Sequence, residues 1–332
     1  MPTKHNILTE HQKPQTQSQA QLISKINNLK KEKNAVILVH NYQRPEIYEV
    51  ADYIGDSLGL SKEASKTKAN IILFCGVDFM AETAKILNPA KKVLLSVKDA
   101  SCPMAAMADV KEVIEMKNDI KKKNPKSPDA LVVSYVNTSA DVKAVSDICC
   151  TSANAVKVVE SLPKDRKIIF VPDRNLGDYI KKVTGRDIIL WPGFCHSHHF
   201  IKEAQVIRAK ETHTNAKVIA HPECKPNVLR HADEVCSTEG MIKYAKESNA
   251  KEFIVLTEQG MVNRLKRDLP NKEFYTPDFE KDEHFAGYCY NMKKTTLEKV
   301  YETLLNESNE IIVPEEIRIN AKKAIDRMLE IK

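Results

Sequence analysis

No two of the eight cysteines stand in a C-x2-C pair. That counts against structural zinc, which usually draws four ligands from such close pairs. Aromatic residues are also scarce, at 6% of the chain with a single Trp, and the net charge is only +6. A nucleic-acid groove wants aromatic platforms on a dense basic face. Runs such as Lys121-Lys122-Lys123 therefore read as solvated faces. No apolar stretch approaches the length of a membrane span. Residues 1–20, rich in Gln, Thr, His and Lys, lack the apolar segment of a signal peptide and read as a disordered tail. These absences point to a cytoplasmic protein with no nucleic-acid or membrane partner. Disulfides are not expected there, so metal binding or burial must account for its cysteines. An anionic small-molecule substrate suits the charge.

What is present is an alternation. Apolar runs such as Ala35–Val39, Asn70–Cys75, Lys92–Val97, Leu131–Tyr135, Lys167–Val171, Ile188–Leu190, Lys217–His221 and Glu252–Leu256 read as buried strands, with helical patterns between them. A helix is expected from Pro45 to about Tyr53, and helices over about 295–306 and 315–331 close the chain. Strands and helices in this order predict α/β layers with parallel sheets.

The alternation keeps register in three rounds. His40 and Ser57 lie 17 residues apart, as do Tyr135 and Ser152, and His221 and Thr238. An Asp precedes each hydroxyl by 5 residues (Asp52, Asp147, Asp233), and a polar group follows each first position by two (Tyr42, Asn137, Glu223). Each round ends in a loop cysteine: Cys102, Cys195 or Cys289, spaced 93 and 94 residues apart. No single spacing is significant, but their agreement marks a threefold internal repeat. The units span residues 21–108, 109–199 and 200–294, with C-terminal helices in 295–332 packing on the core.

Three like units about a pseudo-threefold axis turn equivalent strand ends toward one cavity. Ser57, Ser152 and Thr238 then stand at N-cap positions, where free N–H groups favour anions; the plainer reading is that they only cap helices. Cys75, Cys149, Cys150 and Cys236 lie within apolar strands and read as small buried hydrophobes, and Cys224 is ambiguous. Three thiolates suggest zinc or an iron–sulfur cluster. Three widely spaced cysteines without a fourth suit a 4Fe–4S cluster with one iron left open as a Lewis acid. Among the histidines, His40, His198 and His221 fall near the cavity, whereas His196 and His199 read as structural or solvated.

The motifs His40-Asn41-Tyr42-Gln43, Gly55-Asp56-Ser57-Leu58, Cys75-Gly76-Val77-Asp78, Tyr135-Val136-Asn137-Thr138, Thr151-Ser152-Ala153-Asn154, Pro172-Asp173-Arg174-Asn175, Trp191-Pro192-Gly193-Phe194-Cys195 and His221-Pro222-Glu223-Cys224 resemble those of quinolinate synthase, the NadA-type family of NAD biosynthesis. The resemblance spans residues 34 to about 300. It implies three α/β domains around one 4Fe–4S cluster per subunit, held by Cys102, Cys195 and Cys289. It also implies a transferase condensing iminosuccinate with dihydroxyacetone phosphate to quinolinate, phosphate and water, with a functional link to L-aspartate oxidase. In that family's terms His40, Ser57, Tyr135, Asn137, Ser152, His221, Glu223 and Thr238 line the substrate site. Tyr42 and His198 carry acid/base roles, with Glu223 beside them as a further proton-transfer group. Ser197 departs from the family, which more often has an apolar residue there. Two other functions share the cysteines: an open-iron hydro-lyase of the aconitase type, and a non-catalytic iron–sulfur redox sensor. The first gives no reason for a phosphate anchor. The second gives none for the ring of His, Tyr, Asn and Glu.

Overall fold

The computed structural model describes residues 17–123, 125–278 and 286–331. The tail expected over residues 1–20 falls largely outside that range. Its last four residues are already helical, because helix α1 begins at Gln17 (Gln17–Glu32).

The first sheet contains β1 (Ala35–His40), β2 (Tyr53–Gly55), β3 (Ile71–Cys75) and β4 (Lys92–Leu95), with α2 (Ser57–Lys66) and α3 (Asp78–Leu87) between strands. After α4 (Val110–Lys123), the second contains β5 (Leu131–Tyr135), β6 (Ile148–Cys150), β7 (Ile168–Val171) and β8 (Ile188–Leu190). Its connections are α5 (Ala140–Ala144), α6 (Ala155–Glu160) and α7 (Arg174–Thr184). The short α8 (His196–His199) and α9 (Glu203–Thr212) lead to the third sheet, β9 (Lys217–Ala220), β10 (Glu234–Val235), β11 (Glu252–Leu256) and β12 (Glu273–Tyr275). Here α10 (Pro226–Leu229), α11 (Thr238–Glu247) and α12 (Gly260–Asp268) make the crossings. Finally come α13 (Tyr290–Lys293), α14 (Leu297–Asn306) and α15 (Glu315–Glu330).

Each sheet has four parallel strands in one order, with the first strand between the second and third and the fourth outside: β2-β1-β3-β4, β6-β5-β7-β8 and β10-β9-β11-β12. The expected α/β architecture of three related parallel sheets is therefore present. Successive side chains of a strand point to opposite faces. Leu38, Val133 and Ile219 accordingly enter one core shared by all three sheets. Their neighbours Ile37 and Val39, Val132, and Val218 and Ala220 enter three separate outer cores. Helices α1 and α14 close the first outer core through Ile26, Leu297, Val300 and Leu304. Helix α15 lies along α5 and β6, sending Ala321, Ala324, Ile325 and Met328 into the shared core.

The repeated Asp has a structural task. Asp52, Asp147 and Asp233 each accept the N–H of a first-strand residue, at 2.7 Å from Ile37, 2.8 Å from Val132 and 2.8 Å from Val218. In return each donates its own N–H to that residue's carbonyl, so the entry of every second strand is pinned to its sheet. The same bond shortens the helix expected from Pro45 to Tyr53. It is a 3₁₀ segment ending at Val50, because Asp52 already belongs to the pairing of β2 with β1. No helix among the described residues is long and apolar enough to cross a membrane.

Candidate active site

In parallel α/β sheets the carboxyl ends of the strands carry the ligand site. Here the ends of three sheets line one cavity containing His40, Tyr42, Ser57, Cys102, Tyr135, Asn137, Ser152, Cys195, His198, His221, Glu223, Thr238 and Cys289. Every residue singled out from the sequence as a site candidate lines this space. Asp56, Val77, Phe79, Met80, Met104, Thr151, Ser197 and Met292 complete the wall, which includes no Lys or Arg among the described residues.

The hydroxyls do not cap helices in the way the spacing suggested. The N-cap of α2 is Asp56, which accepts from Gly59 N–H, and that of α11 is Ser237, which accepts from Gly240 N–H. Ser57 and Thr238 are the first helical residues, one position later. In the second repeat the N-cap is Asn154, two residues past Ser152. Because a preceding or following residue takes the cap, the three hydroxyls are released toward the cavity. Ser152 Oγ meets His221 Nε2 at 3.2 Å, and Thr238 Oγ1 accepts from Asn41 Nδ2 at 2.9 Å.

Burial sets the protonation of the ring. It holds both His40 and His221 down to about 3, with Lys293 and His221 adding to the effect at His40. Glu223 opposes the fall at His221, and His198 adds to it. Both rings are thus neutral at pH 7. The Nδ1 of His40 accepts the N–H of Tyr42 at 3.2 Å, and the Nδ1 of His221 accepts that of Glu223 at 3.4 Å. These bonds leave the proton on Nε2 in each ring. Burial, reinforced by Glu223, raises Tyr42 and Tyr135 well above the usual phenol range, so both keep their protons. Burial would also raise the Glu223 carboxyl. Its neighbours His198 and His221, with hydrogen bonds from His198 and Tyr135, outweigh that and keep it ionised.

One directed chain of hydrogen bonds crosses the site. The Tyr42 hydroxyl lies 2.7 Å from Thr257 Oγ1, which lies 2.8 Å from His198 Nε2. The other nitrogen, His198 Nδ1, is 2.8 Å from Glu223 Oε2. An ionised Glu223 makes Nδ1 the donor, and with one proton on the ring Nε2 accepts from Thr257 and Thr257 from Tyr42. His198 stacks on His221 with ring centroids 4.6 Å apart, which fixes its plane. Of the three histidines after Cys195, only His198 lines the cavity. His196 packs against Phe194, and His199 hydrogen-bonds Arg174 and Asn175. Ser197, the departure from the family pattern, hands its hydroxyl to the Tyr288 carbonyl at 2.9 Å and so ties this loop to that of Cys289.

Thr257 was not foreseen. It is fully buried behind the lining, directly after β11, where the sequence offers only a hydroxyl beside an apolar run. Asn137 Oδ1 is buried without a partner, an acceptor left for a ligand donor.

All eight cysteines are free, and Cys102, Cys195 and Cys289 are the ones that line the cavity. Burial raises all three thiols, Cys289 to about 11. The other two thiols add to the rise at Cys195, and Cys289 adds to it at Cys102. Three thiolates gathered here repel one another unless positive charge sits between them, so this donor set fits a metal centre. Cys195 Sγ, a His198 ring nitrogen and a Glu223 oxygen also lie within 4.8 Å of one another, a second grouping of metal-ligating atoms on the same wall.

A family model described as Quinolinate synthetase A protein, NadA, matches residues 24–330. The chain is 52% identical over 318 residues to a quinolinate synthase of Alkaliphilus metalliredigens, covering 95% of this chain and 100% of the relative. It is 51% identical over 308 residues to one from Thermodesulfovibrio yellowstonii, with 92% and 97% covered. Quinolinate synthase 1 of Methanosarcina acetivorans is 50% identical over 314 residues, with 95% and 99% covered. The matched stretch takes in all three sheets and the whole cavity wall, and the chain belongs to the NadA family, the quinolinate synthetase A proteins.

Proposed function

We propose that the protein is a quinolinate synthase, a transferase that joins iminosuccinate to dihydroxyacetone phosphate and releases quinolinate, phosphate and water. The observation that carries this reading is the joining of three cavity thiols to the chain Tyr42–Thr257–His198–Glu223 on one wall. Cys102, Cys195 and Cys289 would hold one 4Fe–4S cluster per subunit. When bound, that cluster supplies Lewis-acid chemistry at its iron without a thiolate ligand.

The protein's own residues account for the remainder. Two carboxylates and a phosphate must be bound, and the wall has no Lys or Arg among the described residues, so its neutral donors serve. Ser57 and Thr238 are the first residues of α2 and α11, where the helix dipole favours negative charge. The Ser152 hydroxyl, which His221 Nε2–H meets, and the Nε2–H of His40 add donors, Tyr135 is held by its bond to Glu223, and Asn137 Oδ1 accepts from the imine or a hydroxyl. Carbon–carbon bond formation and loss of water each require a proton to move. Tyr42, whose own proton points to Thr257, takes a proton from the substrate as that one moves on, and the reverse transfer returns a proton to the reacting oxygen. Glu223, ionised, lets His198 accept one through Thr257. On this reading the cytoplasm is the compartment and L-aspartate oxidase the functional source of iminosuccinate.

The test is anaerobic purification with iron and sulfide analysis, then assay for quinolinate and phosphate from the two substrates. Close to four irons per chain and quinolinate formation that depends on dihydroxyacetone phosphate are expected. Turnover of a hydroxy acid without phosphate release would replace this reading with an aconitase-type hydro-lyase. Iron without any turnover would replace it with a sensor.

A further inference from the structure

One carboxyl group stands behind each of the three cavity cysteines. Asp78 Oδ1 accepts the backbone N–H of Cys102 at 3.2 Å. Asp173 Oδ2 accepts that of Cys195 at 2.9 Å, and Glu258 Oε1 that of Cys289 at 3.3 Å. Each acid comes from the repeat that supplies its cysteine, and each follows closely on the third strand of its sheet, after Cys75, Val171 or Leu256. Each also accepts a second N–H from the start of its own following helix: Phe79 at 2.8 Å, Leu176 at 2.7 Å and Gly260 at 2.7 Å. The same device therefore occurs three times, a carboxyl group bridging a helix start to a cysteine loop.

We propose that Asp78, Asp173 and Glu258 are positioning residues that hold the three cysteine loops in the shape that receives the metal cluster. The proposal rests on the reading of Cys102, Cys195 and Cys289 as its ligands. A carboxyl group is suited because its two oxygens can accept N–H groups from both sides, even where burial and Glu223 raise Asp173 well above the usual carboxylate range. Burying a charge is costly unless it is paired or fully hydrogen-bonded. Asp173 and Glu258 are fully buried. Glu258 is paired with Lys293 at 3.0 Å, whereas Asp173 relies on N–H donors. The loops are shaped to admit these contacts. A Cβ on Gly193 would stand 2.5 Å from the Pro172 carbonyl, and one on Gly260 2.7 Å from both Glu258 Oε2 and Lys293 Nζ. The third repeat uses the longer acid where its cysteine lies 31 residues away rather than 24 or 22.

The experiment compares Asp173→Ala, Asp173→Asn, Glu258→Ala and Glu258→Gln with wild type in the full chain, purified anaerobically. The readouts are iron and sulfide per chain, the rate of iron release to a ferrous chelator, and amide deuterium uptake over 193–200 and 286–292 in the iron-free protein. Val300→Ala, which thins the outer core between α1 and α14, serves as a destabilised control away from the cavity. The Ala variants should release iron at least tenfold faster than wild type and exchange faster in their own cysteine segment. Asn and Gln, which keep an acceptor oxygen, should stay within about threefold. Val300→Ala should release iron at the wild-type rate. Wild-type release and exchange in both Ala variants, or equal acceleration by Val300→Ala, would overturn the proposal. If an Ala variant does not fold, the Asn or Gln variant decides it through the exchange measurement, where loss of protection as large as that on unfolding also overturns it. Wild-type protein without iron, or iron that survives loss of all three cysteines, would instead refute the reading beneath it.

Discussion

Thr257→Val tests whether the hydrogen-bond chain works as a unit. Valine keeps nearly the shape of threonine in a fully buried position, so the change deletes one hydroxyl and little packing. That hydroxyl serves Tyr42 at 2.7 Å and His198 Nε2 at 2.8 Å. A buried polar group left without its partner costs about 1–3 kcal/mol. Tyr42 and His198 already lie 3.4 Å apart and can close on each other, so one lost partner is partly replaced. The iron-free protein should therefore lose about 1–3 kcal/mol in urea unfolding, with an unchanged m-value. Turnover should fall more than binding. General acid–base groups contribute about 10²–10⁴ in rate. A chain rerouted rather than cut should lose the lower part of that range, roughly tenfold to a hundredfold in kcat with KM nearly constant. The decisive measurement is a double-mutant cycle with Tyr42→Phe. If both residues act through one chain, the double variant should turn over no more slowly than the worse single variant. Losses that multiply, or a wild-type kcat for Thr257→Val, would refute the chain as drawn.

Three further outcomes follow from the same geometry. The unfolded chain protonates its histidines below pH 6.5, whereas His40 and His221 in the native protein stay neutral to about 3. Stability should thus be complete above pH 6.5 and fall by about 1.4 kcal/mol per pH unit for each ring between those limits. Urea midpoints at pH 7, 5.5 and 4.5 should show this slope, and His40→Asn with His221→Asn should reduce it. Single Ala changes at Cys102, Cys195 or Cys289 should each abolish iron content and quinolinate formation. Cys149→Ala should keep both, with only the cost of a small core cavity, and elemental analysis separates the two. Ser152→Ala and Thr238→Ala should raise KM severalfold while shifting the melting temperature little, because neither hydroxyl caps a helix. Equal KM values with a lowered melting temperature would return them to a purely structural role.

The sequence by itself determined the α/β class, the three rounds and the loop position of each cavity cysteine. It could do so because parallel strands buried on both faces leave unbroken apolar runs, and because a threefold repeat writes each functional position three times. His40, Tyr135 and His221 were legible for that reason, as were Ser57, Ser152 and Thr238. The bracing acids also left a mark, since Asp78, Asp173 and Glu258 follow those hydroxyls by 21, 21 and 20 residues. An acid near a helix start has many ordinary uses, and only the folded chain shows it also accepting a cysteine N–H. Tertiary structure gave the reason that His198, rather than His196 or His199, enters the cavity. A single helical turn spreads the rings of His196, His198 and His199, and the stacking of His198 on His221 selects one. It alone supplied Thr257, whose partners lie 215 and 59 residues away in the chain. It also shifted the caps by one residue, because Asp56 and Ser237 compete for the same N–H groups as Ser57 and Thr238 and stand nearer to them. Spacing along a chain places a residue at a strand end, but which atom it touches depends on the other two sheets that close the cavity.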